Sequence, residues 1–79
     1  MPANNASILR IALPVPLRRL FDYLPPIDIN IETLQPGLRV SVPFGRQQLT
    51  GVLIELVDHS DVPANKMKCA LAILDIEPP

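Results

Sequence analysis

Seventy-nine residues allow one small domain, and folding of so short a chain buries only about 60% of its unfolded surface. Hydrophobic residues make up 48% of the sequence, which favours a globular core and excludes a disordered segment. Seven basic and eight acidic residues give a net charge of −1. This balance excludes nucleic-acid binding through bulk positive charge, so any binding of anions has to be local.

Two short strands are predicted near the start of the chain. Residues 1–7 are polar and are expected to be a loose extension. Residues 8–13, ILRIAL, favour a β-strand that ends at Pro14. Residues 20–24, LFDYL, favour a second short strand that ends before two prolines. Ten prolines along the chain disfavour long helices.

The middle of the chain predicts a β-hairpin. In LRVSVPF, residues 38–44, apolar and polar side chains alternate with a period of two, which is typical of a half-buried strand. Gly45 opens a four-residue connection, GRQQ, and LTGVLIELV, residues 49–57, predicts the second strand. Gly51 indicates a bulge or a close backbone approach.

The last third of the chain combines a polar loop with an apolar segment. DHSDVPANK, residues 58–66, is typical of a loop. MKCALAILDI, residues 67–76, contains residues that favour helix or strand, and its position favours a closing strand. About five short strands separated by turns predict an all-β fold, a small, partly open, OB-like β-barrel over residues 8–76. Residues 77–79 read as the start of a linker.

Few residues in the sequence can support enzymatic chemistry. One cysteine and one histidine argue against a protein zinc site. Neither a glycine-rich phosphate loop nor a nucleophile with a nearby base is present. Asp58, His59 and Asp61 are expected to form a solvated turn, and Cys69 is expected to be a small, buried or half-buried strand residue. We therefore expect that the domain is not an enzyme.

Two segments remain as candidate binding elements, and each also allows a purely structural interpretation. In a regular strand Phe21 and Tyr23 lie on one face, as core residues, while Asp22 points to the other face. A pocket that uses all three residues requires the backbone to turn near Asp22. Gly45 and Arg46 form either an ordinary hairpin turn or a site where the backbone approaches a ligand.

Three stretches of the sequence resemble the N-terminal domain of one protein family. They are LPVPLRRLFDYLPP, LQPGLRVSVPFGRQQLTGVLIEL and VPANKMKCALAILDIEPP, and the resemblance extends over nearly all of residues 8–79. Its most specific parts are P-V-P-L-x-x-L-F-D-Y-L and G-x-R-V-x-V-P-F-G-R, in this order near the chain start. The family is that of the bacterial replication-restart helicase PriA, also called primosomal protein N′.

The resemblance implies a DNA-binding module with a defined pocket. In the family, this domain captures the 3′-OH terminal nucleotide of a nascent leading strand at a stalled replication fork, largely independently of base identity. The pocket is formed by the F-D-Y motif, the glycine of P-F-G and a lysine of a later loop. These correspond to Phe21, Asp22, Tyr23, Gly45 and Lys68, and Arg46 and Lys66 are candidates for phosphate contacts.

The resemblance also implies partners and a location. Single-stranded 3′ ends and forked DNA are the expected ligands, and primosome proteins and the single-strand-binding protein are expected partners of the full-length chain. This segment is expected to need no cofactor, whereas zinc and ATP with magnesium are implied for the full-length helicase. Neither a signal peptide nor a membrane span is expected from the sequence, so the expected location is the bacterial cytoplasm, at replication forks of the nucleoid.

A protein-interaction module remains an alternative interpretation. Near-neutral charge and a high apolar content would suit a barrel that docks onto a primosome partner or onto the helicase core. In that case, substitution of Phe21 or Tyr23 would unfold the domain rather than weaken DNA binding selectively.

Overall fold

Five β-strands build the domain in the computed structural model, which describes residues 8–27 and 29–75. The strands are β1 (Ile8–Ala12), β2 (Phe21–Tyr23), β3 (Arg39–Phe44), β4 (Gln47–Val57) and β5 (Ala72–Ile73). Neighbouring strands are antiparallel, and their order across the sheet is β2-β1-β4-β3-β5. The all-β prediction is confirmed, and the arrangement is compatible with the predicted small OB-like barrel. Single 3₁₀ turns at Ile31–Thr33 and Ala64–Lys66 lie in the longer connections.

The core contains the apolar residues that alternate along the strands. In β1, Leu9 and Ile11 are fully buried, and the residues between and beside them are partly exposed. This pattern follows from the period of two along a strand with one face toward the core. The other fully buried large side chains are Val40, Val42 and Leu53.

The hairpin of β3 and β4 is tighter than the sequence predicts. Phe44 lies opposite Gln47, so the connection has two residues, Gly45 and Arg46, and the prediction of four is wrong. Gln47 and Gln48 are polar, but both are exposed, so they can belong to β4 and pair with β3. Gly45 has a φ of 61°, and glycine adopts this positive value at the first central position of a two-residue hairpin turn without a steric penalty.

β4 contains an irregularity where it pairs with β1. Arg10 lies opposite Glu55, whereas Ile11 lies opposite Leu53, so Ile54 has no partner in the ladder. Ile54 and Glu55 are both exposed, as expected when one extra residue interrupts the alternation. The bulge therefore sets Glu55 beside Arg10 on the outer face of the sheet.

The two edges of the sheet are joined by the segment that precedes β5. The N–H of Leu24, one residue after β2, donates to the carbonyl of Lys68 at 2.9 Å, and the carbonyl of Leu24 accepts from the N–H of Ala70 at 2.8 Å. Further along, the N–H of Leu71 donates to the carbonyl of Ser41 in β3 at 2.7 Å. The sheet is thus partly closed, which agrees with a partly open barrel.

Segment 67–76 forms less strand than predicted. β5 contains only Ala72 and Ile73, and Cys69 makes a single parallel bridge with Leu24. The segment bonds first to the end of β2 and then to β3, so it cannot keep a long regular ladder with either. Cys69 is exposed, so the expectation of a buried or half-buried strand residue is wrong. The expectations for residues 1–7, for Ile76 and for residues 77–79 lie outside the described residues.

We predict that Gly51→Ala destabilises the domain by about 1–3 kcal/mol, the usual cost of overpacking. A Cβ at Gly51 would lie 2.5 Å from Cγ2 of Ile11 and 2.6 Å from the carbonyl oxygen of Ala12, and the latter atom belongs to the backbone. Urea unfolding measures the change. Thr50→Val, at the neighbouring exposed position of β4, is the control and should change the stability little. Equal stability of the two variants would contradict the close approach.

Candidate functional site

A cleft of about 190 Å³ lies beside β2, at the edge of the sheet. Its walls come from β2, from the turn between β3 and β4, and from the loop between β4 and β5. The cleft brings together six of the seven residues proposed from the sequence: Phe21, Asp22, Tyr23, Gly45, Lys66 and Lys68. Arg46 is exposed in the turn and does not line this cleft.

Tyr23 belongs to the core as well as to the cleft. Its side chain is buried, with 6% of the residue exposed, and burial raises the pKa of its hydroxyl. The hydroxyl donates a hydrogen bond to the carbonyl oxygen of Pro43 at 2.8 Å. Tyr23 therefore forms a wall of the cleft and connects β2 with the end of β3, two residues before Gly45.

Phe21 is half-buried and lines the cleft, and two side chains contact its ring. The ring of Phe44 meets it edge to face at 5.3 Å between centroids, with the planes at 90°. The guanidinium carbon of Arg19 lies 4.7 Å from the centre of the Phe21 ring, which is a cation–π distance. A base that stacks on this face of Phe21 has to take the place of Arg19.

Asp22 is held by side chains from two other parts of the chain. Nε of Arg10 donates to Oδ1 at 3.0 Å, and Nη2 of Arg10 donates to Oδ2 at 3.4 Å. The hydroxyl of Ser60 donates to Oδ2 at 2.5 Å. A carboxylate offers roughly four lone-pair positions, and three are used here. Within the described residues, no further group donates to the remaining position, on Oδ1.

The Asp22 carboxylate is kept ionised by its surroundings. Burial is the largest single influence and raises the pKa, because it disfavours the charged form. Hydrogen bonds from Arg10 and Ser60, with the charges of Arg10 and Arg19, act in the opposite direction and prevail. The pKa of Asp22 is therefore lowered below its usual value, although the side chain is only 11% exposed.

β2 has no bend at Asp22, contrary to the expectation for a pocket that uses all three residues. Residues Phe21, Asp22 and Tyr23 pair in regular antiparallel register with Ile11, Arg10 and Leu9 of β1. The two rings and the carboxylate thus lie on opposite faces, as in an ordinary strand. A cleft can still border all three residues, because β2 is an edge strand and the cleft runs along that edge.

The cleft is locally basic in a chain of net charge −1. Arg19, Lys66 and Lys68 line it, and Asp22 is the acidic residue among its lining groups. Lys66 ends the second 3₁₀ turn, and the backbone of Lys68 is bonded to Leu24. Both lysines are exposed, so their ammonium groups can meet an anion without a large desolvation cost.

Six residues of the site were not predicted from the sequence. Arg19, Pro43, Phe44 and Val62 line the cleft, and Arg10 and Ser60 hold Asp22. A charged residue in the middle of the apolar segment ILRIAL is a signal that could have pointed to Arg10. No local pattern distinguishes Ser60 from other polar loop residues. Its neighbours Asp58, His59 and Asp61 are exposed, as expected for a solvated turn.

Within residues 8–27 and 29–75, no three His, Cys, Asp or Glu side chains are grouped so that they could hold a metal ion. Zinc and ATP are implied by the resemblance only for the full-length helicase. No helix within the same residues has the length and apolar character needed to cross a membrane.

The assignment to a family comes from comparison with known proteins. The family model of the PriA 3′DNA-binding domain (3′BD) matches residues 10–79 of the chain. The chain belongs to this family. The replication restart protein PriA of Haemophilus influenzae is 48% identical over 72 residues, which cover 91% of this chain and 10% of that protein. Membership in the 3′BD family confirms the prediction of a DNA-binding module rather than an enzyme.

We predict that Asp22 contributes to the stability of this 3′BD domain in a pH-dependent way. Since the folded-state pKa of Asp22 is lowered, its contribution is present above the usual Asp pKa of about 4 and is lost as the pH falls through the lowered value. Asp22→Asn should cost about 1–2 kcal/mol at neutral pH, and this difference should shrink in strong acid. Urea unfolding of both proteins over the acid range tests this. A difference that does not depend on pH would contradict the lowered pKa.

Proposed function

We propose that the domain binds the 3′-terminal nucleotide of a DNA strand in the cleft beside β2. The observation that carries the proposal is the ionised Asp22, which retains one acceptor position at a cleft bordered by three cations. Although Arg10 offsets part of its charge, the ionised carboxylate disfavours a phosphate, so its position at such a cleft favours a hydrogen-bond donor on the ligand. The terminal 3′-hydroxyl is a donor that every normal 3′ end carries.

Asp22 would distinguish the chemistry of the strand end. The ionised carboxylate accepts a hydrogen bond from a 3′-hydroxyl, and a hydrogen bond to a charged group contributes about 1.5–3 kcal/mol. A 3′-phosphate offers acceptor oxygens and negative charge to the same group, so it would be rejected. A strand that continues in the 3′ direction carries a phosphodiester at this point and would be rejected for the same reason.

The terminal base would enter between Phe21, Tyr23 and the turn at Gly45. The cleft volume of about 190 Å³ is below the roughly 300–1,000 Å³ of sites for drug-sized ligands, so a single base is the appropriate occupant. Aromatic contacts tolerate all bases, because every base has a π-face. The absence of a side chain at Gly45 would let the backbone approach the base edge. Recognition would thus be largely independent of base identity.

The backbone of the strand would be held by charge. Lys68 and Lys66 line the cleft and offer ammonium groups to phosphates near the end of the strand. Gross contributions from stacking, the hydroxyl hydrogen bond and a phosphate contact sum to roughly 4–7 kcal/mol, from which association costs must be subtracted. The isolated domain should therefore bind DNA weakly, with a Kd no lower than about micromolar.

The wider role follows from family membership and is also a proposal. The domain would recognise the 3′ end of a nascent leading strand at a stalled fork, as part of a longer helicase that uses ATP and carries zinc. This chain is about a tenth of the length of its Haemophilus relative. Contacts with primosome proteins and with the single-strand-binding protein would be made by the full-length chain, in the bacterial cytoplasm at replication forks.

Docking onto a protein partner is the second candidate function. Four exposed leucines support it: Leu17, Leu20, Leu71 and Leu74. The behaviour of Tyr23 variants cannot separate the two functions, because Tyr23 is buried in the core and its loss would disturb the fold in either case. Variants of exposed cleft residues are therefore the appropriate test.

We predict that the domain binds a short oligonucleotide with a 3′-OH at least about tenfold more tightly than the same strand with a 3′-phosphate. Asp22→Ala should abolish this preference, since it removes the acceptor and leaves Arg10 free to attract phosphate. Fluorescence anisotropy measures both affinities, and Asp61→Ala, which removes an acidic group that does not line this cleft, serves as the control. Equal binding of the two ends by the unmodified domain would refute the proposed function.

We predict that Lys68→Ala weakens binding of single-stranded DNA and lowers the slope of log K against log salt concentration by about 0.7, as expected for the loss of one phosphate contact. Arg46→Ala is the matched control, because it also removes one exposed cation of the same surface but lies outside the cleft. Its salt slope should remain that of the unmodified domain. If Arg46→Ala has the larger effect, the phosphate path runs along the hairpin turn instead.

A further inference from the structure

Ser60 connects the Asp22 carboxylate to the wall of the cleft. Its hydroxyl donates to Oδ2 of Asp22 and accepts a hydrogen bond from the N–H of Val62 at 3.1 Å. Val62 lines the cleft that holds the predicted site residues and also a neighbouring cleft of about 510 Å³. Because the hydroxyl has one proton and that proton points to Asp22, the hydrogen-bond direction is determined by its two partners.

Arg10 restrains the same carboxylate from the other side. Its guanidinium donates to both oxygens of Asp22, and Nη1 donates to Oε2 of Glu55 at 3.3 Å. The bulge in β4 is what sets Glu55 opposite Arg10 in the sheet. Arg10 thus lies between two acidic groups, and its two hydrogen bonds to Asp22 restrain the orientation of that carboxylate.

We infer that Ser60 is a positioning residue for recognition of the 3′ end: it occupies Oδ2 of Asp22, so that the remaining acceptor position, on Oδ1, is presented to the terminal hydroxyl. This inference rests on the proposed function. Ser60 would not touch the DNA itself and would act through Asp22. Because Ser60 is also hydrogen-bonded to Val62, the distance between the Asp22 carboxylate and the cleft wall at Val62 would stay constant.

The charged surroundings of Asp22 agree with this role. Arg10 faces it from β1, and Arg19 faces it from the segment before β2. Asp61 borders the neighbouring cleft, and the other charged groups near the site are Glu55, Lys66 and Lys68. The Ser60 hydroxyl is the neutral donor among the partners of Asp22, so its removal changes no formal charge at the site.

The test compares three probes that differ only at the 3′ end of one short strand: a 3′-hydroxyl, a 3′-hydrogen and a 3′-phosphate. We expect Ser60→Ala to reduce the preference for hydroxyl over hydrogen by about three- to tenfold, with the affinity for the 3′-hydrogen strand unchanged. Ser60→Thr keeps a hydroxyl and should retain the preference. A purely structural role of Ser60 would instead weaken binding of all three probes alike.

A second measurement follows the ionisation of Asp22 by carbon-detected NMR titration of the 79-residue chain. Since the Ser60 hydrogen bond is one of the causes that lower the pKa of Asp22, this pKa should rise in Ser60→Ala and stay low in Ser60→Thr. In Ser60→Ala, the pH below which the preference for a 3′-hydroxyl is lost should rise together with the pKa of Asp22. An unchanged pKa of Asp22 in Ser60→Ala would count against the positioning role.

The proposed function and the role of Ser60 can be tested separately. If the unmodified domain shows no preference for a 3′-hydroxyl over a 3′-hydrogen, the proposed function falls and the role of Ser60 falls with it. If the unmodified domain shows the preference and folded Ser60→Ala retains all of it, the role of Ser60 alone is overturned. Thermal unfolding of each variant establishes that the comparison is made between folded proteins.

Discussion

Two backbone hydrogen bonds at Leu24 are the interaction on which the candidate site depends. They join the end of β2 to Lys68 and Ala70, and so they close part of the sheet edge. Backbone hydrogen bonds of this kind do not require a particular side chain. They fix the position of the Lys68 backbone, although the residue is exposed. This closure holds the C-terminal end of the loop after β4 beside the F-D-Y strand, and the hydrogen bond from Ser60 to Asp22 holds the start of the same loop there.

The nearly buried carboxylate of Asp22 needs compensating partners, and the outer face of the sheet supplies them. Asp22, Arg10 and Glu55 form a row across three adjacent strands, β2, β1 and β4. The row keeps Asp22 ionised and uses most of its acceptor positions, which limits the ligand groups that can approach. Cations line the cleft itself, so the local charge at the site is opposite in sign to the net charge of the chain.

Local patterns predicted the hairpin and the general fold, because alternation of apolar and polar side chains depends only on the strand period. The same patterns did not predict which residues pair between neighbouring strands. The polarity of Gln47 favours a turn, although its backbone continues the ladder with Phe44. A single strand considered alone needs a bend at Asp22 to bring all three side chains to one pocket. At the edge of this sheet, residues from both faces of β2 border the same cleft.

By itself, the sequence determined the approximate bounds of β1 to β4, the motifs of the 3′BD family and, through them, most of the residues that line the cleft. Only the tertiary structure decided that Tyr23 belongs to the core, that Arg46 lies outside the cleft and that Asp22 is held by Arg10 and Ser60. The physical reason is the range of the interactions. Motifs and periodicity are properties of neighbours in the chain, whereas these contacts arise from strand register and edge closure between segments that are distant in sequence.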